Sequence, residues 1–423
     1  MASKESAQIT KFDIHSNEGK IISLLGKGAL PLVEYRENLF DHTIRIRAIY
    51  MDSGQAGGDV GSVDTLNLQG DEKISFSVTH DGKTISFDQN LRIHSWHSVE
   101  DSLKTAVEIN IVSKDFFDNI TEDTRVYSLY SGKISDSIEK ILKESLKTDF
   151  EIELDETINT KSFHGKVKEP FEICTNLCRY SIPTKNGKKG ETAGYLFFHT
   201  SKGYKFKSVD TLFSQSPKSK FIKTNTPFLP PRYDGKIHED TLYKGVDVEK
   251  QLRDGAYGQR NKKWNPLTMK FDTTDVKTYE GNPSGVTLAG KKYPKFPDYS
   301  GKVTKINSVH VDIAQKFSAG DSVKSQFNSI QKENVVVSDV VNQSARLHQM
   351  MLKEISVTTD GDIGINVGDI IGCDFKENSI KETPQVSDKN SGKYLVSALC
   401  HLFIPSNTYT KMNLMRDSDG RVL

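Results

Sequence analysis

Alternation of apolar and polar residues dominates the first third of the chain. Ile44, Ile46 and Ala48 alternate with Arg45 and Arg47 across Thr43 to Tyr50, and Ile74, Phe76 and Val78 share one face of Lys73 to Thr79. Leu91 to Ser95 and Ala106 to Val112 repeat the pattern. A period of two describes half-buried strands with one wet face, so this region is predicted to be antiparallel β. Asp81-Gly82 supplies a hairpin turn, and Asp52 to Gly61 reads as a glycine-rich loop.

Near Lys114 the period changes. Ile134, Ile138, Ile141 and Leu142 predict an amphipathic helix over Ser135 to Leu146. Pro170 to Arg179 is a second, with proline near its first turn and Phe171, Cys174, Leu177 and Cys178 facing inward. A hairpin follows, Tyr195 to Thr200 and Tyr204 to Ser208 around Ser201-Lys202-Gly203, so this part reads as a compact α+β unit. Residues 217 to 297 hold 8 of the 13 prolines and show little periodicity, which predicts extended loops and an irregular insertion. Order returns after Val335 with a helix over Ser338 to Met350 carrying Val341, Ala345, Leu347 and His348 at helical spacing. Strands are predicted at Lys353 to Thr358, Ile370 to Phe375, Gly392 to Leu399 and Tyr409 to Met415. The loop Lys376 to Ser391 is polar and expected to be mobile. No repeat of solenoid length is visible.

Length adds that 423 residues exceed one comfortable core, so two or more domains are expected. With 57 Lys+Arg against 56 Asp+Glu the net charge is +1, which rules out a bulk electrostatic partner such as a nucleic-acid coat or a membrane-hugging domain. The balance is uneven: Lys218 to Lys305 holds 18 Lys/Arg and 10 Asp/Glu, a net of +8, leaving −7 for the remainder. Four cysteines argue against a disulfide scaffold. The first twenty residues lack the apolar core of a signal peptide. The nearest apolar run, Ile21 to Val33, is short and interrupted by Lys27. The expectation is a soluble protein made in the cytoplasm, with no membrane anchor.

Candidate chemistry is sparse. Cys174 and Cys178 lie four apart on one helix face, but a zinc site needs two more ligands, and neither Cys373 nor Cys400 sits in a CxxC knuckle. They read as core thiols. In Ile93-His94-Ser-Trp96-His97-Ser98, period two puts His94 and Trp96 on one face and His97 on the other, against a shared metal and for surface or interface roles. Asp360 to Asn366 looks like the start of a calcium loop, yet position five is Gly364 and position twelve Ile371, so a turn between strands is expected. Gly54 to Gly61 lacks GxGxxG spacing and leads into a strand, against a phosphate cradle. No GxSxG, HExxH or CxxC motif occurs. No catalytic residue, metal site or cofactor is nominated. Lys262, Lys263 and Trp264, then Lys291, Lys292, Tyr293 and Lys295, interleave aromatic and basic groups. That pattern can suit single-stranded nucleic acid, but solvated loops or docking to an acidic protein fit better.

The last part carries an ordered series: Ser344-Ala-Arg346-Leu-His-Gln-Met350, Lys353 to Val357, Gly364-Ile-Asn-Val-Gly368-Asp369-Ile-Ile371, then Ser391-Gly392-Lys-Tyr394 through His401, and Tyr409 to Asp417. This series resembles the C-terminal barrel of central baseplate hub proteins of contractile-tailed phages, the T-even-type hub family. The hub domain of type VI secretion spike proteins is more distantly similar. Its structural signature residues here are Arg346, Gly368, Asp369, Gly392, Tyr394 and His401. Gly368-Asp369 reads as the tight turn that starts a barrel strand. Gly392 opens the next strand where a bulky side chain would crowd the loop. Along that strand Tyr394, Val396 and Ala398 are expected on one side, and Leu395, Ser397 and Leu399 on the other. The hairpin from Gly194 to Ser208 looks like the family's linker-domain hairpin, and Asp254 to Arg260 with Trp264-Asn-Pro266 and Met269-Lys-Phe271 resembles the stretch where the second barrel is interrupted.

The resemblance implies a mainly β chain with α+β parts: two small antiparallel β-barrel tube domains, an α+β linker domain and a peripheral insertion. The expected map is a first barrel over 1–112, the α+β domain over 113–213, and a second barrel over 214–258 and 338–417. A Pro-rich insertion over 259–337 and a tail over 418–423 complete it. The implied function is that of a structural hub. A homotrimer with two barrels per chain would form a ring of pseudo-sixfold symmetry, adapting a hexameric tail tube to a trimeric central spike. The implied partners are the spike protein, the tail tube or tube-initiator protein and baseplate wedge proteins, with DNA passing through the lumen. The hub of a type VI or phage-tail-like particle is the neighbouring alternative. A tail-tip cell-wall hydrolase is the alternative from another class, and it would need an acid pair or metal site that the sequence does not offer.

Overall fold

The computed structural model describes residues 6–25, 30–52, 63, 66–101, 104–185, 188–189, 194–224, 226, 228–244, 247–265, 269–276, 287–288, 298–299, 302–310, 322, 343, 346–376, 386–418 and 420. The glycine-rich loop after Asp52, Val341, Ala345, the second basic–aromatic cluster from Lys291, most of the insertion and 377–385 of the polar loop lie outside them.

The alternating first third forms seven strands: β1 (Gln8–His15), β2 (Ile21–Ser23), β3 (Leu32–Asn38), β4 (Arg45–Asp52), β5 (Lys73–His80), β6 (Lys83–Asp101) and β7 (Lys104–Ser113). They pair antiparallel in the order β2-β1-β5-β6-β7-β4-β3. Asp81 and Gly82 join β5 to β6 with φ of 47° and 72°, the twist a two-residue hairpin turn needs. The predicted strand Leu91 to Ser95 is the middle of one long strand. The first half of β6 pairs with β5 and its second half with β7, with a bulge between Ile93 and Ser95. There His94 packs beside Phe116 and Phe117, Trp96 lies against the core, and His97 reaches Glu108 at 3.7 Å.

The α+β part follows. It contains α1 (Lys114–Asp118), β8 (Leu129–Tyr130), α2 (Ile134–Lys140), β9 (Ile152–Leu154), β10 (Phe163–His164), α3 (Pro170–Cys178), β11 (Thr184–Lys185), β12 (Lys188–Lys189), β13 (Tyr195–Thr200), β14 (Gly203–Ser208) and α4 (Val209–Phe213). The expected long helix is α2 extended by a π turn over Ile141–Ser145. Its apolar stripe packs with that of α3 and with Tyr195, Phe197, Tyr204 and Phe206 of the hairpin into a second core. Cys174 and Cys178 are buried in it, the Cys178 thiol donating to the Cys174 carbonyl at 3.3 Å. Burial raises both thiol pKa values, so they behave as core groups.

The rest of the main sheet is β15 (Lys220–Ile222), β16 (Gly235–Lys244), β20 (Lys353–Asp360), β21 (Ile370–Asp374), β22 (Gly392–Ile404) and β23 (Asn407–Arg416). Between β16 and β20 the chain forms α5 (Val248–Arg253), β17 (Gln259–Asn265), β18 (Lys270–Val276) and β19 (Lys305–His310), then a helical turn over 346–350. Pairing runs β22-β21-β15-β16-β20-β23 and returns to β22, so these six strands close into a barrel with every strand flanked on both sides. β15 is parallel to both neighbours and the other pairs are antiparallel.

One strand joins the two halves. β22 pairs with β21 over its first four residues and, on the same edge, with β3 from Ala398 to Phe403. Barrel and seven-stranded sheet are therefore one 13-stranded ladder over one continuous apolar core. A bulge between Val396 and Ala398 makes the change of partner and corrects the expected facing of this strand. The extra residue reverses the alternation, so Tyr394 and Val396 point inward before it, and Leu399, His401 and Phe403 after it; Ala398 turns outward.

The insertion also departs from expectation. Instead of loops alone, β17, β18 and β19 form a three-stranded sheet, with β17 central, antiparallel to β18 and parallel to β19. Polar residues conceal its alternation. Nor is the insertion wholly peripheral: Leu288 is 2% exposed, sits in the main core and donates its N–H to Asp417 at 3.1 Å. Among the described residues, no helix is long and apolar enough to cross a membrane.

Candidate functional site: a three-way junction and the groove beside it

One buried polar group that sequence reasoning missed joins three parts of the fold. Glu37 lies on β3 in phase with Val33 and Tyr35, so the strand's own alternation drives a carboxylate inward. It accepts four hydrogen bonds from three parts of the molecule. The Tyr35 hydroxyl donates at 2.7 Å from the same strand, and the Ser201 N–H at 2.6 Å from the turn of the β13–β14 hairpin. The Val367 N–H donates at 2.9 Å and the Asn366 amide at 3.1 Å, both from the loop before β21. The Asn366 amide also donates to the Ser201 hydroxyl at 2.6 Å. Burial raises the carboxyl's pKa and the converging donors oppose that rise. The Tyr35 hydroxyl is held well above its ordinary value by burial and then by the Glu37 charge. The cue available in the sequence was an acid in phase with the apolar face of an alternating strand.

A second bridge crosses nearby. Lys83 of β6 meets Asp362 of the loop after β20 at 2.7 Å, and Asp362 also accepts the Gly364 N–H at 2.9 Å. His42 stacks on Phe171 and Phe197 and bonds the Thr175 hydroxyl at 2.7 Å, tying the β3–β4 loop to α3.

The six signature residues occupy separate structural positions. Gly368 has φ of +87°, and a Cβ there would lie 2.9 Å from the Phe198 ring. Its N–H donates to Val396 at 3.0 Å, and the Val396 N–H returns to the Asp369 carbonyl at 3.0 Å, locking the turn to β22. The Asp369 side chain accepts the Asn366 N–H at 2.7 Å and pairs with Lys218 at 2.6 Å. Gly392 has φ of +130°, a backbone demand in addition to the crowding expected of it. Tyr394 packs under the Arg416 guanidinium at 4.7 Å, and Arg416 donates to the Ser391 and Lys389 carbonyls. His401 stacks on Tyr35 and bonds Thr410 at 3.0 Å, and burial lowers its pKa to about 4. Arg346 is buried against Asp417 at 2.5 Å and lies over the Phe213 ring at 5.0 Å.

Beside the junction, the outward faces of β3, β22, β23, β20 and β16 line an open groove of about 1570 Å³. Its charges are largely matched within the sheet. Glu34 pairs with Arg36 and lies 3.7 Å from Arg47, Arg47 pairs with Glu108 at 2.5 Å, and His238 with Asp360 at 2.6 Å. Among the described residues, no three His, Cys, Asp or Glu side chains are placed to hold a metal ion.

Compared by sequence, the chain matches no known family profile and no curated protein. Its fold is that of a class of phage tail proteins. The tail protein from Neisseria meningitidis MC58 superposes with a TM-score of 0.52 at 8% identity, covering 98% of this chain and 97% of that one. The 43 kDa tail protein of prophage MuSo2 from Shewanella oneidensis gives 0.51 at 8% identity, with 96% and 98% covered. The Escherichia coli c3393 protein, a component of the type VI secretion system, gives 0.43 at 9% identity, with 99% and 80% covered.

Proposed function

We propose that this chain is the structural hub of a phage tail baseplate. It forms a homotrimeric ring that adapts a hexameric tail tube to a trimeric central spike. The observation that carries the reading is the fused sheet. A closed six-stranded barrel and a seven-stranded sheet share β22 in one chain, and the whole length has the fold of two tail proteins. Two β units per chain give six units in three chains, the number a hexameric tube presents, and a closed ring requires rotation that closes. The outer face of the shared sheet carries charges paired with one another, and DNA passing through the lumen is part of this reading. The spike, the tail tube or tube initiator and the wedge proteins are the partners of this reading, and the virion tail is its location. The role is structural, with no catalytic step. Reconstruction of the assembled particle tests it. Three copies around the axis, each offering two β units to the tube, are expected; six copies, or a position off the axis, would refute the hub assignment.

A further inference from the structure

β13 runs between the two cores, and all six of its residues are buried. Leu196 and Phe198 enter the main core, while Tyr195 and Phe197 enter the second. His199 continues the face of Tyr195 and Phe197, where the alternation calls for an apolar residue. Its ring is wedged between Phe150, edge-on at 4.5 Å, and Tyr204, stacked at 4.2 Å. It is 0% exposed, and neither ring nitrogen has a hydrogen-bond partner among the described residues. A neutral imidazole carries one donor and one acceptor, so both are stranded. A second proton would add a charge with nothing there to solvate it. An apolar side chain of similar size would carry neither penalty.

The slot belongs to a row of rings that crosses the molecule. Phe150 packs against both cores and meets Phe87 of β6 at 6.3 Å, and Phe87 stacks on Tyr35 at 6.2 Å. On the other side Tyr204 stacks on Phe197 at 5.7 Å, and Phe197 on His42 of the β3–β4 loop at 5.5 Å. The neighbours of His199 on its own hairpin hold the fused sheet: Phe198 lies against Gly368, and the Ser201 N–H reaches Glu37. The charged and titratable groups around the slot are engaged elsewhere. Asp115 and Cys174 act on the Tyr204 hydroxyl, Asp41 acts on His42, and Lys205 and Lys207 of β14 pair with Glu153 and Asp155. Asp149 and Glu151, which flank Phe150, are exposed. Burial alone acts on His199 and lowers its pKa from 6.5 to about 3.

We infer that the β13–β14 hairpin is an acid-released latch between the α+β unit and the fused sheet. To take a proton, His199 must leave its slot for water. Its departure draws Ser201 from Glu37 and Phe198 from Gly368, so the α+β unit parts from the sheet while the barrel stays folded. The folded value lies below the ordinary one, so the closed hairpin loses stability as pH falls from about 6.5 towards 3. His42 and His401, also lowered by burial, act in the same direction; Asp115 and Glu37, raised by burial, act against it.

The test is native-state hydrogen exchange on the full chain between about pH 7 and 4, expressed as protection factors, with the wild type beside H199F and H199M. Phenylalanine keeps a ring in the slot, and methionine, being flexible, guards against overpacking. The other titrating groups are present in all three proteins and cancel in the ratio of variant to wild type. At the Ser201 and Tyr204 amides, which donate to Glu37 and to the Glu151 carbonyl, that ratio is expected to grow about tenfold for each pH unit below about 6. At Met412 of β23, flanked by strands on both sides, no such growth is expected. A ratio that does not change with pH would overturn the latch. Equal growth at Met412 would also overturn it, because the event would then be global unfolding. The wild type alone gives a further check by NMR: the His199 ring is expected to stay neutral for as long as the hairpin is closed, and a ring that titrates near its ordinary value with Ser201 still protected would overturn the latch.

Discussion

In β5 of the fused sheet, Ile74, Phe76 and Val78 point into the core; in β17 of the insertion, Gln259 and Asn261 are buried while Trp264 faces out with Phe271 and Ile306. Both strands alternate, and the same period serves opposite ends. In the fused sheet the buried Glu37 is met by four donors, and the buried Arg346 by Asp417 and the Phe213 ring. The insertion sheet leaves Phe271 and Ile306 exposed. Stability should therefore be concentrated at the buried polar junctions of the first region and be nearly indifferent to the outer face of the second.

The largest expected effect is at Glu37. Replacing it by alanine strands the Ser201 and Val367 N–H groups and the Asn366 amide in a buried site, each costing about 1–3 kcal/mol. E37A is expected to lose about 4–6 kcal/mol in denaturant unfolding. Hydrogen exchange should rise at Ser201 and Val367 before it rises in the barrel. Unchanged stability would mean that the three regions are held together elsewhere.

Next comes the buried pair. R346M leaves Asp417 as a buried charge without its guanidinium, and breaking such a pair costs about 3–5 kcal/mol. R346M/D417N is expected to recover part of that loss, because the uncompensated charge is gone. Equal losses in the single and double variants would show that Arg346 acts through packing on Phe213 alone.

A pH effect separates the α+β region from the sheet. Burial raises the Asp115 carboxyl to about 6, opposed by the Thr148 hydroxyl that donates to it. With the folded value above the unfolded one, the folded state binds more protons between about pH 4 and 6, and stability falls as pH rises through that window, by about 2–3 kcal/mol. His401 works the other way: its folded value, about 4, lies below the ordinary one, so its contribution is lost as pH falls. The quantity to measure is thus the difference between wild type and D115N. It should change across pH 4 to 6 and stay flat above.

Gly368→Ala should cost less, about 1–3 kcal/mol, because its φ of +87° and the Phe198 ring, 2.9 Å from where a Cβ would sit, both oppose a side chain. A neutral result in thermal unfolding would show that the turn before β21 can shift without disturbing β22.

Much of this was legible in the sequence, for a physical reason. Where a strand is wet on one side, as β4 and β5 are, period two reports it directly, and Asp81-Gly82 announces its own turn. The π extension of α2 stayed in phase with its apolar stripe and did not disturb the prediction. What could not be read were features set by register and by distant partners. The bulge at Ser397 reverses every later side chain of β22, yet nothing local in Val396-Ser-Ala398 marks it. Ser201 and Asn366 acquire their roles only when Glu37 arrives between them, from 164 and 329 residues away. β17 hid because lysine and asparagine carry its alternation, and the motif-based view of Lys262, Lys263 and Trp264 saw composition before it could see a face.

The smallest expected effect discriminates most sharply between the two regions. Phe271→Ser removes a large aromatic group, and in β5 the same change at Phe76 would open a cavity costing about 3–5 kcal/mol. At Phe271 most of the ring is already in water, so its removal takes little apolar area from the folded state. Trp264 loses one tilted ring neighbour, worth about 0.5–1.5 kcal/mol in a buried pair and less in an exposed one. Monomer stability is therefore expected to change by no more than about 0.5 kcal/mol, while the F76S change is severe. A loss at F271S approaching that at F76S would mean that the outer face of β17–β19 is packed within its own chain, and the contrast between the two sheets would collapse.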